Sequence, residues 1–184
     1  MKGFITPSVP FAERRIIEMN INSFSTKYKV RKLTEKDIPI IYKLCSGNII
    51  YYTYCPPFVD EERIIEDMTE LPPGKGREDK YYVGFFDGDQ LIGVLDIIDG
   101  YPGKEIAYIG FFMTDTSVQR KGIGAGIIDE LCVYLKEQGF LSVQLAYVIG
   151  NEQSKSFWHK MGFEDMAIEK QIKTYRVKGA ERIL

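Results

Sequence analysis

The sequence predicts a single α/β domain with a mixed, mostly antiparallel sheet of six to seven strands flanked by about four helices. Short runs of alternating apolar residues between turn residues indicate the strands, and runs with apolar residues every three or four positions indicate the helices. Hydrophobic residues make up 45% of the 184 residues, which is enough for one core. The predicted order of elements is β-α-α-β-β-β-α-β-α-β-β.

The first part of the chain predicts one strand followed by two helices. Alternation favours a strand over Tyr28–Leu33, and Thr34 is a suitable N-cap for the helix that follows. A tyrosine-rich loop is expected over 51–57. The acids at 60–62 suit the N-terminus of a second helix, which ends before the prolines at 72–73.

The middle of the chain predicts an antiparallel meander of three strands. Strand-like runs cover 81–86 and 90–99, and the turn Asp87-Gly88 between them is a strong hairpin signal, because both residues tolerate positive φ. A third strand is expected over 105–114.

The rest of the chain predicts a parallel crossover and a closing hairpin. A helix over 127–135 connects the meander to a strand at 141–149, and such a strand–helix–strand unit places its two strands parallel. Another helix at 152–161 ends at Gly162, and a hairpin over 163–177 completes the sheet.

Residues 1–26 are interpreted as an N-terminal extension, an arm or a short helix, ahead of a single domain over 27–184. The pair Arg14-Arg15 ahead of Met19 is also what a translated ribosome-binding site would leave. Met19 is therefore a candidate natural start, a hypothesis that only the codons of the gene can test.

Composition argues against several classes of partner. The 24 basic and 26 acidic residues give a net charge of −2, so no basic surface for nucleic acid is expected. No run approaches the roughly 20 apolar residues that cross a bilayer, so no membrane partner is expected. The single histidine, His159, and three scattered cysteines predict no metal site, and without a signal sequence they favour the cytoplasm. The oligomeric state is open, with a homodimer as one alternative.

The clearest chemical signal is the glycine-rich turn QRKGIGAG at 119–126, between a predicted strand and a predicted helix. Glycines let a backbone approach an anion closely, and the first N–H groups and the dipole of a helix stabilise negative charge. Arg120 and Lys121 add attraction for phosphate. The spacing is neither that of a dinucleotide fold nor that of a P-loop. The alternative is a helix start that contains glycines and binds nothing.

This Gln-x-x-Gly-x-Gly pattern after a mid-chain strand resembles the pyrophosphate loop of the Gcn5-related N-acetyltransferases, which transfer acetyl from acetyl-coenzyme A to amines. A second block at 151–163 is similar to the family's downstream motif, an asparagine followed by a helix that ends in an aromatic residue, a basic residue and Gly-Phe. The resemblance covers the chain from about residue 28 onwards in element order. It implies that acetyl-coenzyme A is the acyl donor.

The resemblance also implies where the donor binds. The backbone of Met113 and Thr114 would pair with the pantetheine arm, and Asn151 and Ser154 would lie beside it. The pyrophosphate would be held by Gln119, Arg120, Lys121, Gly122, Ile123, Gly124 and Ala125. Strands that diverge at Thr114 and Gly150 would leave backbone groups free for the arm. Asn151 is equally suited to the N-cap of the following helix.

The chain departs from the family's pattern where proton transfer is expected. Trp158 stands where many members have a tyrosine that protonates the departing thiolate, and indole cannot do this, so packing is its expected role. The third strand of the meander has no carboxylate where the family often has a glutamate. Asp96 interrupts the apolar run 92–98 and is the candidate base, with a hydrogen-bonded structural acid as the alternative.

The tyrosines ahead of the second predicted helix are candidates for the acceptor side. Tyr51, Tyr52 and Tyr54 could orient a polar acceptor or attract a cationic amine to their ring faces. Tyr54 is also a candidate for the missing proton donor. Ordinary packing against the sheet is the alternative for all three.

We therefore expect an acetyl-coenzyme A-dependent N-acetyltransferase, in which a primary amine of a small molecule or peptide attacks the thioester directly. One alternative is a non-catalytic acyl-coenzyme A sensor or interaction module, which the absence of the usual tyrosine and glutamate favours. Another is a nucleotide-binding protein that uses the same glycine-rich turn.

Overall fold

The computed structural model describes residues 18–172 and 174–184, so most of the predicted N-terminal arm lies outside the described residues. The strands of the described part are β1 (Lys29–Lys32), β2 (Lys80–Asp87), β3 (Gln90–Asp99), β4 (Ile106–Thr114), β5 (Ser142–Val148), β6 (Glu164–Ile172) and β7 (Tyr175–Ile183). They form one sheet in the order β1-β2-β3-β4-β5-β7-β6. All neighbours are antiparallel except β4 and β5. The predicted mixed, mostly antiparallel α/β fold is confirmed.

The α-helices of the described part are α1 (Ile38–Ser46), α2 (Ile49–Tyr54), α3 (Glu61–Thr69), α4 (Ile123–Glu137) and α5 (Glu152–Lys160). Side-chain caps begin two of them, because Asp60 accepts the N–H of Arg63 at α3 and Asn151 accepts the N–H of Ser154 at α5. Helix α4 connects the parallel pair β4 and β5. None of the helices in the part of the chain that the structure describes is long and apolar enough to cross a membrane.

The predicted tyrosine-rich loop at 51–57 is wrong in its first half, where the structure has helix α2. Aromatic and β-branched residues are weak helix formers, and α2 has no side-chain cap. The packing of Tyr52 into the core stabilises this turn of helix instead, since Tyr52 is only 5% exposed. The described part therefore has five α-helices rather than about four.

Two apolar clusters cover the two faces of the sheet. The larger cluster joins the sheet to α4 and α5 and includes residues from every strand except β6. The smaller joins β2, β3 and β4 to α1, α2 and α3. Met19 and Phe24, in the described part of the predicted extension, belong to the larger cluster, and Phe24 is fully buried. The domain boundary at residue 27 stays a prediction.

The parallel pair β4 and β5 separates along its length. Paired positions run only from Ile106 and Ser142 to Ile109 and Leu145. Beyond them β4 continues to Thr114 while pairing with β3 alone. The strands thus diverge earlier than predicted, because a bulge interrupts β4: Asp96 lies opposite Phe111 and Ile97 opposite Ile109, which leaves Gly110 as an extra residue that bends the strand.

Candidate functional site

A cavity of about 840 Å³ lies beside the free edge of β4. Its walls are the residues at 47–51, which lead from α1 into α2, the β4 edge at 112–114, the glycine-rich turn, and one side of α5 between Asn151 and Lys160. A cavity of this volume is large enough to hold most of a drug-sized or cofactor-sized ligand.

The glycine-rich turn forms a helix start that is suited to an anion. Gly122 is the N-cap of α4 with φ of +79°, a left-handed conformation that favours glycine. The first intrahelical bond of α4 runs from Gly126 N–H to the Gly122 carbonyl, and no side chain caps this end of the helix. The N–H groups of Ile123, Gly124 and Ala125 therefore have no partner among the described residues. These N–H groups stand at the positive end of a 15-residue helix. The turn therefore fits a phosphate group.

The cavity brings together most of the residues predicted to bind the donor: Met113, Thr114, Gln119, Arg120, Gly122, Gly124, Ala125, Asn151 and Ser154. Two of the predicted residues lie elsewhere. Lys121 is exposed outside the cavity lining, and the side chain of Ile123 packs against the larger apolar cluster. Successive residues at a helix start point in different directions, so a contiguous loop cannot turn every side chain to one ligand.

Gln119 holds the turn in place through its side chain. Its Nε2 donates to Asn48 Oδ1 at 2.7 Å and to the Thr114 carbonyl at 3.0 Å. Asn48 donates to the same carbonyl at 3.2 Å and to the Leu44 carbonyl at 3.0 Å. The Thr114 carbonyl is thus already engaged, and the expected backbone contact with the pantetheine arm falls mainly to Met113. The sequence analysis missed Asn48, because nothing in the local pattern distinguishes it from a polar residue in a turn.

The three candidate tyrosines have three different environments. Tyr51 lines the cavity, with its ring edge-on to Phe111 at 5.8 Å. Tyr52 is buried outside the cavity lining, in the smaller apolar cluster and under the guanidinium of Arg63. Tyr54 is 40% exposed and its ring lies over Gly150, where β5 ends, so it connects α2 to that end of the sheet without lining the cavity.

The phenol of Tyr51 belongs to a polar network on the α1–α3 face. Cys55 lies close enough to influence the pKa of both Tyr51 and Tyr175 of β7, and its Sγ accepts from Arg63 Nη2 at 3.2 Å. Burial raises the pKa of Tyr51 well above its usual value. The Tyr51 hydroxyl is therefore protonated at neutral pH and can donate.

Asp96 lies below the bulge in β4. It is 7% exposed, and its Oδ2 lies 2.7 Å from Lys80 Nζ, whereas Oδ1 has no hydrogen-bond partner among the described residues. Burial raises the pKa of Asp96 to about 6, and the nearby charge of Lys80 opposes that rise. Asp96 does not line the cavity itself, but its strand partner Phe111 contacts Tyr51, which does.

Trp158 packs in an aromatic group and also forms part of the cavity wall. It is 7% exposed, with ring centroids 4.9 Å from Phe157, 5.2 Å from Phe163 and 6.1 Å from Phe112. This is the packing role that the sequence predicted for it.

A sheet whose parallel pair separates beside a helix start with free N–H groups is the arrangement expected for an acyl-coenzyme A-dependent transferase. Comparison with known proteins agrees. The chain belongs to the acetyltransferase (GNAT) family, whose sequence model matches residues 48–163. The predicted family and the predicted class of enzyme are confirmed, and acetyl-coenzyme A is the acyl donor of this family.

The individual relatives are distant. The GCN5-related N-acetyltransferase 7, chloroplastic, of Arabidopsis thaliana is 23% identical over an alignment 184 positions long, which covers 93% of this chain and 67% of the relative. An acetyltransferase from Thermus thermophilus superposes with a TM-score of 0.69 at 19% identity, over 86% of this chain and 97% of that one. The PaiA N-acetyltransferase of Thermoplasma acidophilum, solved with coenzyme A, gives 0.58 at 17% identity, over 85% and 99%. At these identities the likeness to the two structures is one of fold.

Proposed function

We propose that the protein is an acetyl-coenzyme A-dependent N-acetyltransferase that acetylates a primary amine of a small molecule or peptide. The observation that supports this is one continuous cavity, which leads from the free N–H groups of α4 along the free edge of β4 to Tyr51. Such a cavity suits a long ligand with phosphates at one end and amide groups along its arm.

The donor-binding residues that we propose are the predicted residues that line the cavity, together with Lys121 and Ile123 of the turn. The helix start of α4 would hold the pyrophosphate through backbone N–H groups, and Arg120 would add charge from the cavity side. Lys121 would act only at longer range, because it lies outside the lining. Met113, Asn151 and Ser154 would flank the pantetheine arm.

Acetyl transfer to an amine requires that one proton leaves the amine nitrogen and that one proton is supplied to the departing thiolate. The amine nitrogen attacks the thioester carbonyl carbon, a C–N bond forms, and the C–S bond breaks with the electron pair leaving on sulfur. The products are an amide and free coenzyme A once the nitrogen has lost a proton and the thiolate has gained one. Most of the rate gain comes from holding the two reactants together.

Asp96 is the proton acceptor that we propose. Its carboxyl, with a pKa of about 6, is ionised at neutral pH and retains one unpartnered oxygen. Because Asp96 does not line the cavity, the proton would reach it through a water molecule at the bulge, where Gly110 is exposed.

Tyr51, rather than the predicted Tyr54, is the proton donor that we propose. Tyr51 lines the cavity and carries a protonated hydroxyl, whereas Tyr54 contacts Gly150 outside the lining. Tyr52 and Tyr54 would support the acceptor side by fixing α2 against the core and against the end of β5.

The non-catalytic sensor stays a second candidate because Trp158 packs where a tyrosine donor is usual. A cytoplasmic location is also part of the proposal, although the Arabidopsis relative is named as chloroplastic. Nucleic acid is not among the proposed partners, and the homodimer stays open.

Thermal melting with acetyl-coenzyme A, coenzyme A, ATP and NAD tests donor binding, and thiol release with a panel of primary amines and short peptides tests catalysis. Stabilisation by the two coenzyme A ligands together with amine-dependent thiol release is the expected result. Stabilisation without release from any amine would favour the sensor, and the absence of stabilisation would overturn both.

A matched pair of variants makes the binding test specific. Ala125→Glu places a negative charge in the cavity at the helix start, so it should abolish the stabilisation by coenzyme A. Val133→Glu adds the same charge on the outer face of the same helix, where Val133 is 58% exposed, and should leave that stabilisation unchanged.

A further inference from the structure

A buried ion pair lies on the acceptor face of the sheet. Lys80 Nζ and Asp96 Oδ2 are 2.7 Å apart, and their side chains are only 6% and 11% exposed. Removing two charges from water is costly, and the attraction between them repays that cost only with good geometry. The pair is the one ion pair that either residue forms among the described residues, so its place in the fold calls for an explanation other than stability.

Lys80 reaches Asp96 from the neighbouring strand. It is the first residue of β2, and Tyr82, two positions further on the same face, lies directly opposite Asp96. The ammonium binds Oδ2 and leaves Oδ1 without a partner among the described residues. The carboxylate is thus held by one oxygen only.

Gly110 makes room for this carboxylate. It is the bulged residue of β4, it is exposed, and a Cβ built on it would overlap Oδ2 of Asp96. Any side chain here would displace the carboxylate from the bulge. The β3 carboxylate therefore fills the space of a β4 side chain, next to the free edge at 112–114 that lines the cavity.

We propose that Lys80 and Gly110 are positioning residues for the proton acceptor: Lys80 binds Oδ2 and fixes the Asp96 carboxylate, and Gly110 leaves the space at the bulge that this carboxylate occupies. This inference rests on the proposed function. It adds two residues that do not themselves touch either reactant.

The other groups around Asp96 show why Lys80 matters. Burial acts most strongly and raises its pKa to about 6, Lys80 lowers it, and Glu70 of the segment after α3 raises it. Asp67 of α3 is also close enough for the charges of Asp96, Lys80 and Arg63 to act on its own carboxyl, and burial raises its pKa to about 6. Tyr82 and Tyr108 sense the charge of Asp96 as well.

Without Lys80, the charged groups left near Asp96 are dominated by other carboxylates. Its pKa should then rise further, and a larger fraction of the protein would hold Asp96 protonated at neutral pH. A protonated carboxyl cannot accept a proton from the acceptor amine. The limb on which activity rises with pH should therefore move to higher pH in Lys80→Met and stay in place in Lys80→Arg.

The test measures ionisation and activity separately. Protein labelled with ¹³C at the aspartate carboxyl is titrated by NMR in the wild type, Lys80→Met and Lys80→Arg, and the Asp96→Asn variant identifies the Asp96 signal. Thiol release from acetyl-coenzyme A with n-butylamine is measured over the same pH range. Rates are expressed per free-base amine, so that the ionisation of the amine itself cancels.

We expect the Asp96 midpoint to rise by at least one pH unit in Lys80→Met, about a tenfold change in proton affinity, and the activity limb to rise with it. Lys80→Arg should keep both near the wild type. Lys75→Met, which removes a partly buried lysine paired with Asp79 at 3.5 Å, is the matched control and should change neither.

An unchanged Asp96 midpoint in Lys80→Met, or a rate lowered equally at every pH, would overturn the proposal and leave Lys80 with a structural role only. If Lys80→Met does not fold, Lys80→Gln, which removes the charge and keeps a polar side chain, replaces it, and the same rise of the Asp96 midpoint is expected. Failure of the proposed function looks different, because the wild type would then release no thiol with any amine while the NMR titration still reports on Lys80.

Discussion

Asp96 on β3 occupies, with its carboxylate, the space that a side chain at Gly110 on β4 would fill. The family resemblance leads one to look for an acid on β4, and this strand has none. In our proposal the acid comes from the neighbouring strand instead, through a bulge that opens β4 at that point. A function that depends on an atom's position can thus be met from a different residue of the chain.

Asp96→Asn should lower kcat/KM for the amine by about 10²- to 10⁴-fold, the usual contribution of a general base. The amide keeps the shape of the side chain but cannot accept the proton. In the wild type, activity per free-base amine should fall as the pH drops through about 6, since the carboxyl is then protonated. The increase in melting temperature that coenzyme A causes should be the same in the variant and in the wild type, and this measurement separates loss of catalysis from loss of binding.

Tyr51→Phe should slow thiol release about 10²-fold or more, because the ring still packs on Phe111 while the hydroxyl that donates is gone. Tyr54→Phe is the control and should retain nearly full activity, since Tyr54 lies outside the cavity lining. Steady-state rates of thiol release, measured for the two variants side by side, test which of the two tyrosines donates the proton. Equal effects would contradict the assignment of Tyr51.

Arg120→Ala should weaken coenzyme A binding more than Lys121→Ala does, because Arg120 lines the cavity and Lys121 does not. We expect a loss of a few-fold for Arg120→Ala at low salt and a smaller loss at high salt, where exposed charges are screened. Calorimetric titration of each variant at two salt concentrations measures this. Identical affinities at both salts would count against a phosphate at this turn.

Asp37→Ala should destabilise the fold by about 1–3 kcal/mol at neutral pH. Asp37 bonds Arg31 at 2.7 and 2.9 Å and the Thr34 N–H at 2.8 Å, so its loss removes an ion pair and a helix cap. Solvent screens the ion pair in part, because the Arg31 side chain is 41% exposed, and this keeps the loss modest. The bond to Arg31 is the main cause that holds the pKa of Asp37 below 3.8.

The pH dependence of that stability follows from the direction of the shift. A carboxyl with a lowered pKa in the folded state stabilises the fold fully above its unfolded pKa and loses this stabilisation as the pH falls through the folded pKa. The difference in urea unfolding free energy between wild type and Asp37→Ala should therefore shrink below about pH 4. A constant difference down to about pH 2 would contradict the role of the ionised pair.

The sequence predicted the topology well because its signals are local. The Asp87-Gly88 hairpin, the helix stop at Gly162 and the glycine-rich turn each depend on a few adjacent residues. Helix α2 was missed because its stability comes from burial of Tyr52 by distant residues, and no local pattern reports that.

For the same reason, the sequence predicted the donor-binding side of the site better than the residues proposed for proton transfer. The donor-binding residues follow from short local motifs, so nine of the 20 residues that line the cavity could be named in advance. The pairing of Asp96 with Lys80 and its approach to Gly110 depend on strand register and a bulge, which one sequence does not encode visibly. Likewise, only the packing of α2 shows that Tyr51, and not Tyr54, faces the cavity.

The early separation of β4 from β5 gives this protein a sheet edge in its interior. Along residues 110–114, β4 has a strand on one side only. A free edge elsewhere can pair with a strand of another chain, but here the edge forms one wall of the cavity. An acyl donor that bonds this edge would lie beside β4 as an eighth strand of the sheet, and that position would empty again each time coenzyme A leaves.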